Sequence, residues 1–477
     1  MISQFFDDNI WQNGKDIPDW FQHGNSEWYD SLKIMYPILV GIGVFLVIGL
    51  SALKIWKRQI PLKEFVNAIY ICLPIGIIGA SIFGKLGSYG DQYKIYMLFF
   101  FWNPGLSFFG GMLCGATAAF IWFWYKSKTT RVSIYVYADC IVPNILLGQS
   151  IGRWGNLFNH EILGREVDNA SMWKITWLPD FIWHRLFYFY EPGTAIENQD
   201  PLKLQFHEPL FLYESFATLV LFLLITFVFA NIGKWTSKKP WKIDPINFPC
   251  KFNKQYKSID QNQLPDYNTQ IPVKYLTDKN GKIYLSESWA WKKAYTLYEP
   301  SRTLVEAEQT KINNQKTLAL KAREKYNSLV VKVNQEIELQ KVKLNKGKIT
   351  KQEFKLAKKD IKNNYKVDLN KLKIEKNSLI SFWKRDSKGL YELNNPNNYR
   401  VVHCGVLTGV YMCGYTIIRF ILDPLRNPYE LTIKEASILN YLFLFGFLLL
   451  GVATLVCAQF IAPKKWREEG WLYEKSY

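Results

Sequence analysis

The sequence lacks paired cysteines, since none of its seven cysteines belongs to a CxxC motif. Six of them fall in apolar segments, where a thiol packs as a small hydrophobic group. This pattern excludes a disulfide framework and a zinc site of the usual spacing, and we expect no metal and no cofactor. The first 30 residues also lack the basic-then-apolar order of a cleavable signal peptide. We therefore expect the first apolar stretch to stay in the membrane.

The charge is unevenly distributed. The mean hydropathy of -0.09 is an average over long apolar stretches and a Lys-rich block, and it describes neither. The net charge of +18 is carried largely by the middle of the chain. Such an excess indicates an anionic neighbour (a lipid surface, nucleic acid or an acidic protein), or only the solubility of an exposed helical arm. Because the block resembles no specific recognition motif, we do not expect nucleic acid as a partner, and the partner of the basic insert stays open.

Seven apolar segments are long enough to cross a membrane, because about 20 apolar residues span a hydrocarbon core of about 30 Å. The segments lie at about 34–53, 65–84, 98–125, 138–158, 209–232, 401–422 and 437–462. The sequence thus predicts an all-α fold, a polytopic membrane helix bundle with seven transmembrane helices. The fourth helix carries Asp139, Asn144, Gln149 and Arg153, which are costly in lipid, so it should face the bundle or a wet cavity.

Short-loop charge sets the predicted orientation. Lys and Arg cluster after the first, third and seventh spans, which places the N-terminus outside and the C-terminus in the cytoplasm of a multi-pass plasma-membrane protein. The predicted parts are an extracellular segment 1–33, transmembrane helices 1–4 over 34–158, a small extracellular head domain 159–208, helix 5 over 209–232, a basic cytoplasmic insert 233–400, helices 6–7 over 401–462 and a cytoplasmic tail 463–477.

The insert contains a predicted helical hairpin over about 301–380. Leu and Val recur at helical spacing among Lys and Glu, and the run Asn345-Lys346-Gly347 predicts the turn. Thr350 and Glu353 have the spacing of a capping box that starts the second arm.

Polar residues of five predicted helices fall at one depth, near the outer face. Arg153 lies fourteen residues beyond Asp139, about 21 Å along a helix that runs outward. The other residues at this depth are Tyr36, Gly110, Gly111, Asn156, Asn159, Glu161, Tyr213, Glu214, Arg419, Asp423 and Arg426. Interfacial anchoring is one interpretation. The other is an anionic headgroup site, because two guanidinium forks suit a phosphate, with Glu161 and Asp423 to orient them.

The thirteen residues from Gly152 to Gly164, GRWGNLFNHEILG, closely resemble the signature of the prolipoprotein diacylglyceryl transferase family. Further resemblances follow in the family's order: Tyr36 in the first helix, Asn103 to Gly111 in the third, Pro209 to Glu214 in the fifth, and Gly414-Tyr415 with Arg419, Asp423 and Arg426 in the sixth. The resemblance covers about 34–233 and 401–462 and leaves out the basic block.

The resemblance implies a transferase whose partners are phosphatidylglycerol and the signal peptides of prolipoproteins. The lipid's diacylglyceryl group would pass to the lipobox cysteine, giving a thioether and glycerol phosphate, the first step of lipoprotein maturation. A catalytically impaired relative that only binds anionic lipid or lipoprotein precursors is the alternative. The implied catalytic residues are Arg153, Arg419, Asn156 and Tyr36, and His160 is added as a candidate catalytic residue from its own chemistry. The implied substrate-binding residues are Gly110, Gly111, Asn159, Glu161, Gly164, Tyr213, Glu214, Tyr415, Asp423 and Arg426.

The sequence departs from the family pattern at three places. Phe109 stands where the family usually has a histidine, Ser81 where it has an arginine, and His207 is shifted by one residue in the fifth-helix motif. Phenylalanine cannot accept a proton from the substrate thiol. We expect His160 to take that role, since a neutral imidazole accepts a proton near neutral pH; headgroup binding by His160 is the alternative.

Overall fold

The computed structural model describes most of the chain and shows it to be predominantly helical. The described residues are 34–58, 60–86, 95–100, 107–159, 161–167, 171–183, 185–188, 205–250, 274–295, 302–380, 385–395, 397–426, 431 and 437–473. They form two compact units. The bundle unit comprises 1–238, 400–459 and 472–477, and the insert unit comprises 239–399 and 460–471.

The bundle unit contains a helix in each of the seven predicted segments. The long helices and their extensions are α1 Met35–Lys57, α2 Lys63–Leu86, α3 Phe108–Thr130, α4 Ile134–Arg153, α5 Gly155–Asn159, α8 Leu210–Leu223 with a π-helical end Leu224–Phe229, α9 Ile232–Thr236, α16 Val406–Leu422 and α17 Ser437–Val456 with a π-helical end Cys457–Ile461. Within the described ranges, six helices have the length and apolar composition needed to cross a membrane, and α3 is not among them.

Glycines allow the bundle helices to approach closely. A Cβ on Gly43 of α1 would lie 2.8 Å from the carbonyl oxygen of Gly148 on α4. A Cβ on Gly111 of α3 would lie 3.2 Å from the Cβ of Ala80 on α2. Small residues are typical of helix interfaces in membranes, where backbone packing replaces the hydrophobic effect as the driving force. Glycine at these positions therefore allows α1 to pack closely against α4, and α2 against α3.

The fourth segment buries its polar residues, as the sequence predicts. Asp139 and Asn144 of α4 are 1% and 0% exposed. The amide of Asn144 donates to the Oγ of Ser51 on α1 at 3.0 Å and accepts from the Nζ of Lys54 at 2.6 Å. Polar groups in lipid need such partners, and α4 therefore lies between other helices.

A small apolar cluster lies between α5 and α8. It includes the short helices α6 Trp173–Thr176 and α7 Asp180–Trp183, and its buried members include Leu163, Ile175 and Leu186. The strands β1 Phe187–Tyr188 and β2 Gln205–Phe206 pair antiparallel beside it. This pairing, and a second one in the insert, depart from the all-α prediction. Each strand has two residues, too few for a readable period-2 pattern.

The chain leaves the bundle unit after Lys238 and returns to it at Arg400, and the residues at these two points contact each other. The backbone N–H of Arg400 donates to the Oγ of Ser237 at 2.7 Å, across 163 residues of sequence. Gly233 of α9 lies against the backbone of Arg400 and Val402. The two ends of the insert are therefore held together within the bundle unit.

The insert unit combines a small aromatic core with a long hairpin. Its elements are α10 Pro240–Ile243, the antiparallel strands β3 Leu276–Thr277 and β4 Ile283–Tyr284, α11 Glu287–Tyr295, α12 Arg302–Asn345, α13 Lys351–Asn364, α14 Lys366–Ile380, α15 Lys388–Asn394 and α18 Ala462–Lys465. Trp291 packs edge-on against Trp241 and Tyr399, with ring centroids 6.1 and 5.9 Å apart.

The hairpin turn lies where the sequence predicts it. Gly347 has φ 68°, a left-handed conformation that favours glycine. Thr350 and Glu353 form the predicted capping box at the start of α13. The second arm is not a single helix, since it breaks at Tyr365 between α13 and α14. The hydroxyl of Tyr365 donates to Glu336 of α12 at 2.6 Å.

Candidate functional site

Two arginines from different helices meet at one carboxylate oxygen. Arg153 is the last residue of α4, and Arg419 lies near the end of α16. The Nη2 of Arg153 lies 2.7 Å, and the Nη1 of Arg419 3.6 Å, from the Oε1 of Glu214 on α8. The sequence predicts that both arginines converge, and the structure brings them together. The sequence indicates Glu214 only as a substrate-binding residue, whereas in the structure Glu214 is the carboxylate that the arginines share.

A short 3₁₀ turn after α16 adds a third arginine. The turn Asp423–Leu425 places Asp423 2.8 Å from the Nε of Arg419 and 3.7 Å from the Nε of Arg426. Arg426 also donates to the Oε2 of Glu214. From α17, the amide of Asn440 donates to Asp423 at 3.1 Å. Four helices therefore contribute to one connected network of ion pairs and hydrogen bonds, which we call the arginine cluster.

The arginine cluster is buried and carries a positive excess. The side chains of Glu214 and Asp423 are 0% exposed, those of Arg426 and Arg419 3% and 5%, and that of Arg153 19%. Three guanidinium groups against two carboxylates leave one positive charge in excess. Charges interact strongly where water is scarce, so this excess favours an added anion. Arg153 is the most exposed member of the cluster.

Two serines fix the contact between α4 and α8. The Oγ of Ser150 lies 3.1 Å from the Oγ of Ser215, which also donates to the carbonyl of Ser150 at 2.8 Å. Ser215 follows Glu214 directly, and Ser150 precedes Arg153 by three residues, close to one helical turn. The serine pair therefore brings the Arg153–Glu214 ion pair into reach. The sequence contains no signal for these serines, because a single serine in an apolar helix belongs to no recognisable motif.

The signature segment places Tyr36 next to Arg153. A Cβ on Gly155 would lie 2.8 Å from the Cδ2 of Tyr36, so only glycine leaves room for this ring. Tyr36 lies within electrostatic range of both Arg153 and Glu161. Asn156 is 3% exposed, and its carbonyl accepts from the N–H of Glu161 at 3.0 Å. The structure thus groups three other predicted site residues, Tyr36, Asn156 and Glu161, around Arg153.

The glycines of the predicted site have backbone neighbours. Gly164 donates to the carbonyl of Glu208 at 2.8 Å, and a Cβ there would meet the side chain and carbonyl of the same residue. Gly110 and Gly111 lie at the contact between α3 and α2, where a Cβ on Gly110 would meet Phe83. Close backbone packing accounts for these positions, and their predicted contact with substrate stays a prediction.

The remaining predicted residues lie around the cluster or outside the described residues. Tyr415 lies within electrostatic range of Arg419, and its ring stacks on Tyr411 with centroids 6.0 Å apart. Tyr213 and Asn159 are partly buried. His160 lies outside the described residues, so its role as proton acceptor stays a prediction. Asn440 was missed, although a lone amide in an otherwise apolar span is a signal that could have indicated it.

The chemistry of this cluster is that of anion recognition. Planar guanidinium groups bind phosphate through paired N–H donors, and they remain charged when buried. Among the described residues, no group of His, Cys, Asp and Glu has an arrangement that would hold a metal ion. The positive charges that the structure places in the cluster are those of Arg153, Arg419 and Arg426.

The chain is similar to known proteins over its first half. The family model for prolipoprotein diacylglyceryl transferase matches residues 31–243. Phosphatidylglycerol–prolipoprotein diacylglyceryl transferases from three organisms are similar to this chain. That of Streptococcus equi subsp. equi is 29% identical over 192 residues, 40% of this chain and 65% of the relative. That of Malacoplasma penetrans is 35% identical over 220 residues, which are 41% of this chain and 58% of the relative. That of Clostridium botulinum is 30% identical over 200 residues, which are 42% of this chain and 72% of the relative.

The similarity has a limited extent. The chain spans 65% and 58% of the first two relatives' lengths. The family model ends at residue 243, within the first residues of the insert, so Arg419, Asp423 and Arg426 lie beyond the matched range. Their connection with the matched part comes from the structure, which joins them to Glu214.

Proposed function

Because the chain belongs to the prolipoprotein diacylglyceryl transferase family, we propose that it transfers the diacylglyceryl group of phosphatidylglycerol to the lipobox cysteine of prolipoproteins. A sulfur–carbon bond forms at the diacylglyceryl carbon that carries the phosphate ester, and the carbon–oxygen bond to the phosphate breaks. The thiol proton passes to a base, and glycerol phosphate leaves. The products are a thioether-linked precursor and a phosphate monoester.

The convergence of Arg153 and Arg419 on the Oε1 of Glu214 carries this proposal. The leaving phosphate gains negative charge as the carbon–oxygen bond breaks. Fixed cations beside it lower the barrier because they are oriented before the reaction begins. Arg153, the more exposed of the two, contacts the phosphate first, and Arg419 stabilises the charge that develops.

Neighbouring residues position the reactants in this proposal. The phenol of Tyr36 and the amide of Asn156 offer hydrogen bonds to the headgroup beside Arg153. Asp423 and Arg426 hold the arginine forks through the network on Glu214. His160 accepts the thiol proton, since Phe109 at the family's histidine position cannot. Replacing His160 by alanine should lower the rate and remove an ionisation near neutral pH from the rate profile; an unchanged profile removes His160 from the mechanism.

The proposed setting is the plasma membrane with seven spans, α3 included. Positive short loops favour an outside N-terminus and a cytoplasmic C-terminus. This orientation puts the arginine cluster at the outer leaflet and 159–208 outside, where prolipoprotein signal peptides would approach. The insert, 233–400, would then be cytoplasmic. Cysteine-accessibility labelling of intact cells tests which segments of the chain are outside and which are cytoplasmic.

A product assay tests the proposed reaction. The purified full chain is mixed with vesicles of labelled phosphatidylglycerol and a lipobox peptide, and the thioether peptide and glycerol phosphate are measured. Arg153→Gln and Arg419→Gln should each lower the rate at least 100-fold while the protein stays folded, consistent with about 3 kcal/mol for a lost charge-stabilising donor. Arg131→Gln is the matched control, because Arg131 is exposed after the far end of α3; it should change little.

The outcomes separate the competing functions. Thioether product that depends on both arginines supports the transferase. Lipid binding without product by the wild-type chain would indicate a lipid-binding relative instead. Near-normal rates in both arginine variants would remove the arginines from the mechanism.

A further inference from the structure

The helix that carries Arg419 is capped by a residue of another helix. The Oδ2 of Asp139 on α4 accepts from the N–H of Gly405 at 2.9 Å, and its Oδ1 accepts from the N–H of Thr408 at 2.9 Å. The hydroxyl of Thr408 donates to the same Oδ1 at 2.5 Å. Asp139 is 1% exposed. Its carboxylate thus accepts three hydrogen bonds from the first turn of α16.

α16 needs this partner because it has no cap of its own. Its N-cap residue is Gly405, with φ 96° and no side chain to accept a bond. The first N–H groups of a helix have no intrahelical acceptor, and leaving them unpaired in an apolar surrounding is costly. A carboxylate also interacts favourably with the positive end of the helix dipole. Asp139 satisfies both requirements from a neighbouring helix.

The cap lies at the same distance from both arginines. Arg153 follows Asp139 by fourteen residues on α4, and Arg419 follows Gly405 by fourteen residues on α16. At 1.5 Å per residue both intervals are about 21 Å. The Asp139 cap joins α4 and α16 at one end. At the other end, Arg153 and Arg419 therefore lie at the same distance along their helices from the cap. There both arginines reach the Oε1 of Glu214.

The whole insert lies between α9 and α16 in the chain. The bundle chain leaves at Lys238 and returns at Arg400 after the whole insert. A shift of α16 by a single residue would move Arg419 by about 1.5 Å and rotate it by about 100°. The 3.6 Å contact with Glu214 could not persist through such a movement.

We propose that Asp139 is a positioning residue: by capping α16 it fixes the axial register of this helix against α4, and thereby the position of Arg419 beside Arg153. The proposal rests on the proposed function in that the register matters for transfer. Asp139 does not touch substrate, since it lies about 21 Å along α4 from Arg153. It acts only through Arg419.

A double-mutant cycle tests this role. Asp139→Asn keeps the size of the side chain and replaces one acceptor oxygen by a donor. Measured with phosphatidylglycerol vesicles and a lipobox peptide, kcat should fall about tenfold, with the KM for lipid within twofold of the wild type. The Arg419→Lys variant has already lost the guanidinium fork. In this variant, Asp139→Asn should lower kcat less than twofold. Equal losses in both backgrounds would mean that Asp139 serves stability alone, and would overturn the proposal.

Two further variants complete the set. Thr408→Val removes the hydroxyl but leaves both backbone bonds to Asp139, so it should lower kcat less than threefold. Asp139→Glu keeps the carboxylate and adds one methylene, which shifts the cap without removing it. Where Asp139→Asn does not fold, Asp139→Glu carries the test, with a predicted fivefold or larger fall in kcat. Wild-type kcat in Asp139→Glu would then overturn the proposal.

Hydrogen exchange provides a readout that does not need activity. In Asp139→Asn the amides of 405–409 and 422–426, at the two ends of α16, should exchange at least tenfold faster than in the wild type. If the wild type forms no thioether, the proposed function fails while exchange still judges the cap. Unchanged exchange at both ends would overturn the positioning role even in an active enzyme.

Discussion

Replacing Glu214 by glutamine would remove the carboxylate that three arginines share. Glu214 is 0% exposed and pairs with Arg153, Arg419 and Arg426. Without its charge, the named members of the arginine cluster would be three guanidinium groups and one carboxylate, that of Asp423, and their positive excess would rise from one charge to two. Breaking a buried ion pair on one side costs about 3–5 kcal/mol, because the remaining charge stays buried without compensation. We expect Glu214→Gln to destabilise the bundle unit by this amount and to abolish transfer.

The assay is equilibrium unfolding of the purified full chain in detergent, with Glu208→Gln as the matched control. Glu208 pairs with Lys174 at 2.9 Å, but the two side chains are 14% and 38% exposed. A partly exposed pair contributes about 0–1 kcal/mol, so the control should stay within that range. The two variants remove the same charge from pairs that differ in burial.

A second substitution tests the charge argument itself. Adding Arg426→Met to Glu214→Gln returns the cluster to two guanidinium groups and one carboxylate, the native excess of one charge. The cost of the single variant comes from a buried charge without compensation, and removing one guanidinium group removes that charge, so the double variant should recover at least half of the lost stability. The reasoning fails if Glu214→Gln stays within 1 kcal/mol of the wild type, or if the double variant is less stable than the single one.

Three further predictions concern other parts of the chain. Replacing 239–399 by a short flexible linker should leave transfer within about threefold, because the two ends of the insert contact each other in the bundle unit; complete loss in a folded protein would contradict this. Burial lowers the pKa of Lys293 from 10.5 to about 8. Between pH 8 and 10.5 the unfolded chain then binds more protons than the folded one, so the insert should become more stable as pH rises through this window. Hydrogen exchange of α11, corrected for its intrinsic pH dependence, checks this prediction, and Lys293→Met should lack the pH-dependent gain. Gly155→Ala should reduce transfer at least tenfold, because the added methyl group would displace Tyr36; a wild-type rate would refute this steric role.

Much of the fold follows from local sequence. Apolar runs of about 20 residues predict spanning helices without knowledge of their neighbours, because the hydrocarbon core imposes the length. A helix lies in each predicted segment. The hairpin turn at Gly347 and the capping box at Thr350 were predictable for a similar reason, since a positive φ and a helix N-terminus each favour particular residues. The signature around Arg153 indicated the family, and with it the proposed chemistry.

The tertiary structure alone decided which charges meet. The sequence placed Arg153, Arg419 and Glu214 near one membrane face, but it could not show that both arginines contact the Oε1 of Glu214. It also could not indicate that Asp139 caps α16 across 266 residues of sequence. The helical rise per residue gives the approximate depth of a side chain in the membrane, whereas its partners depend on the rotation and sliding of each helix against its neighbours. Those two variables are set by packing between segments far apart in the chain, so they become visible only in the assembled bundle.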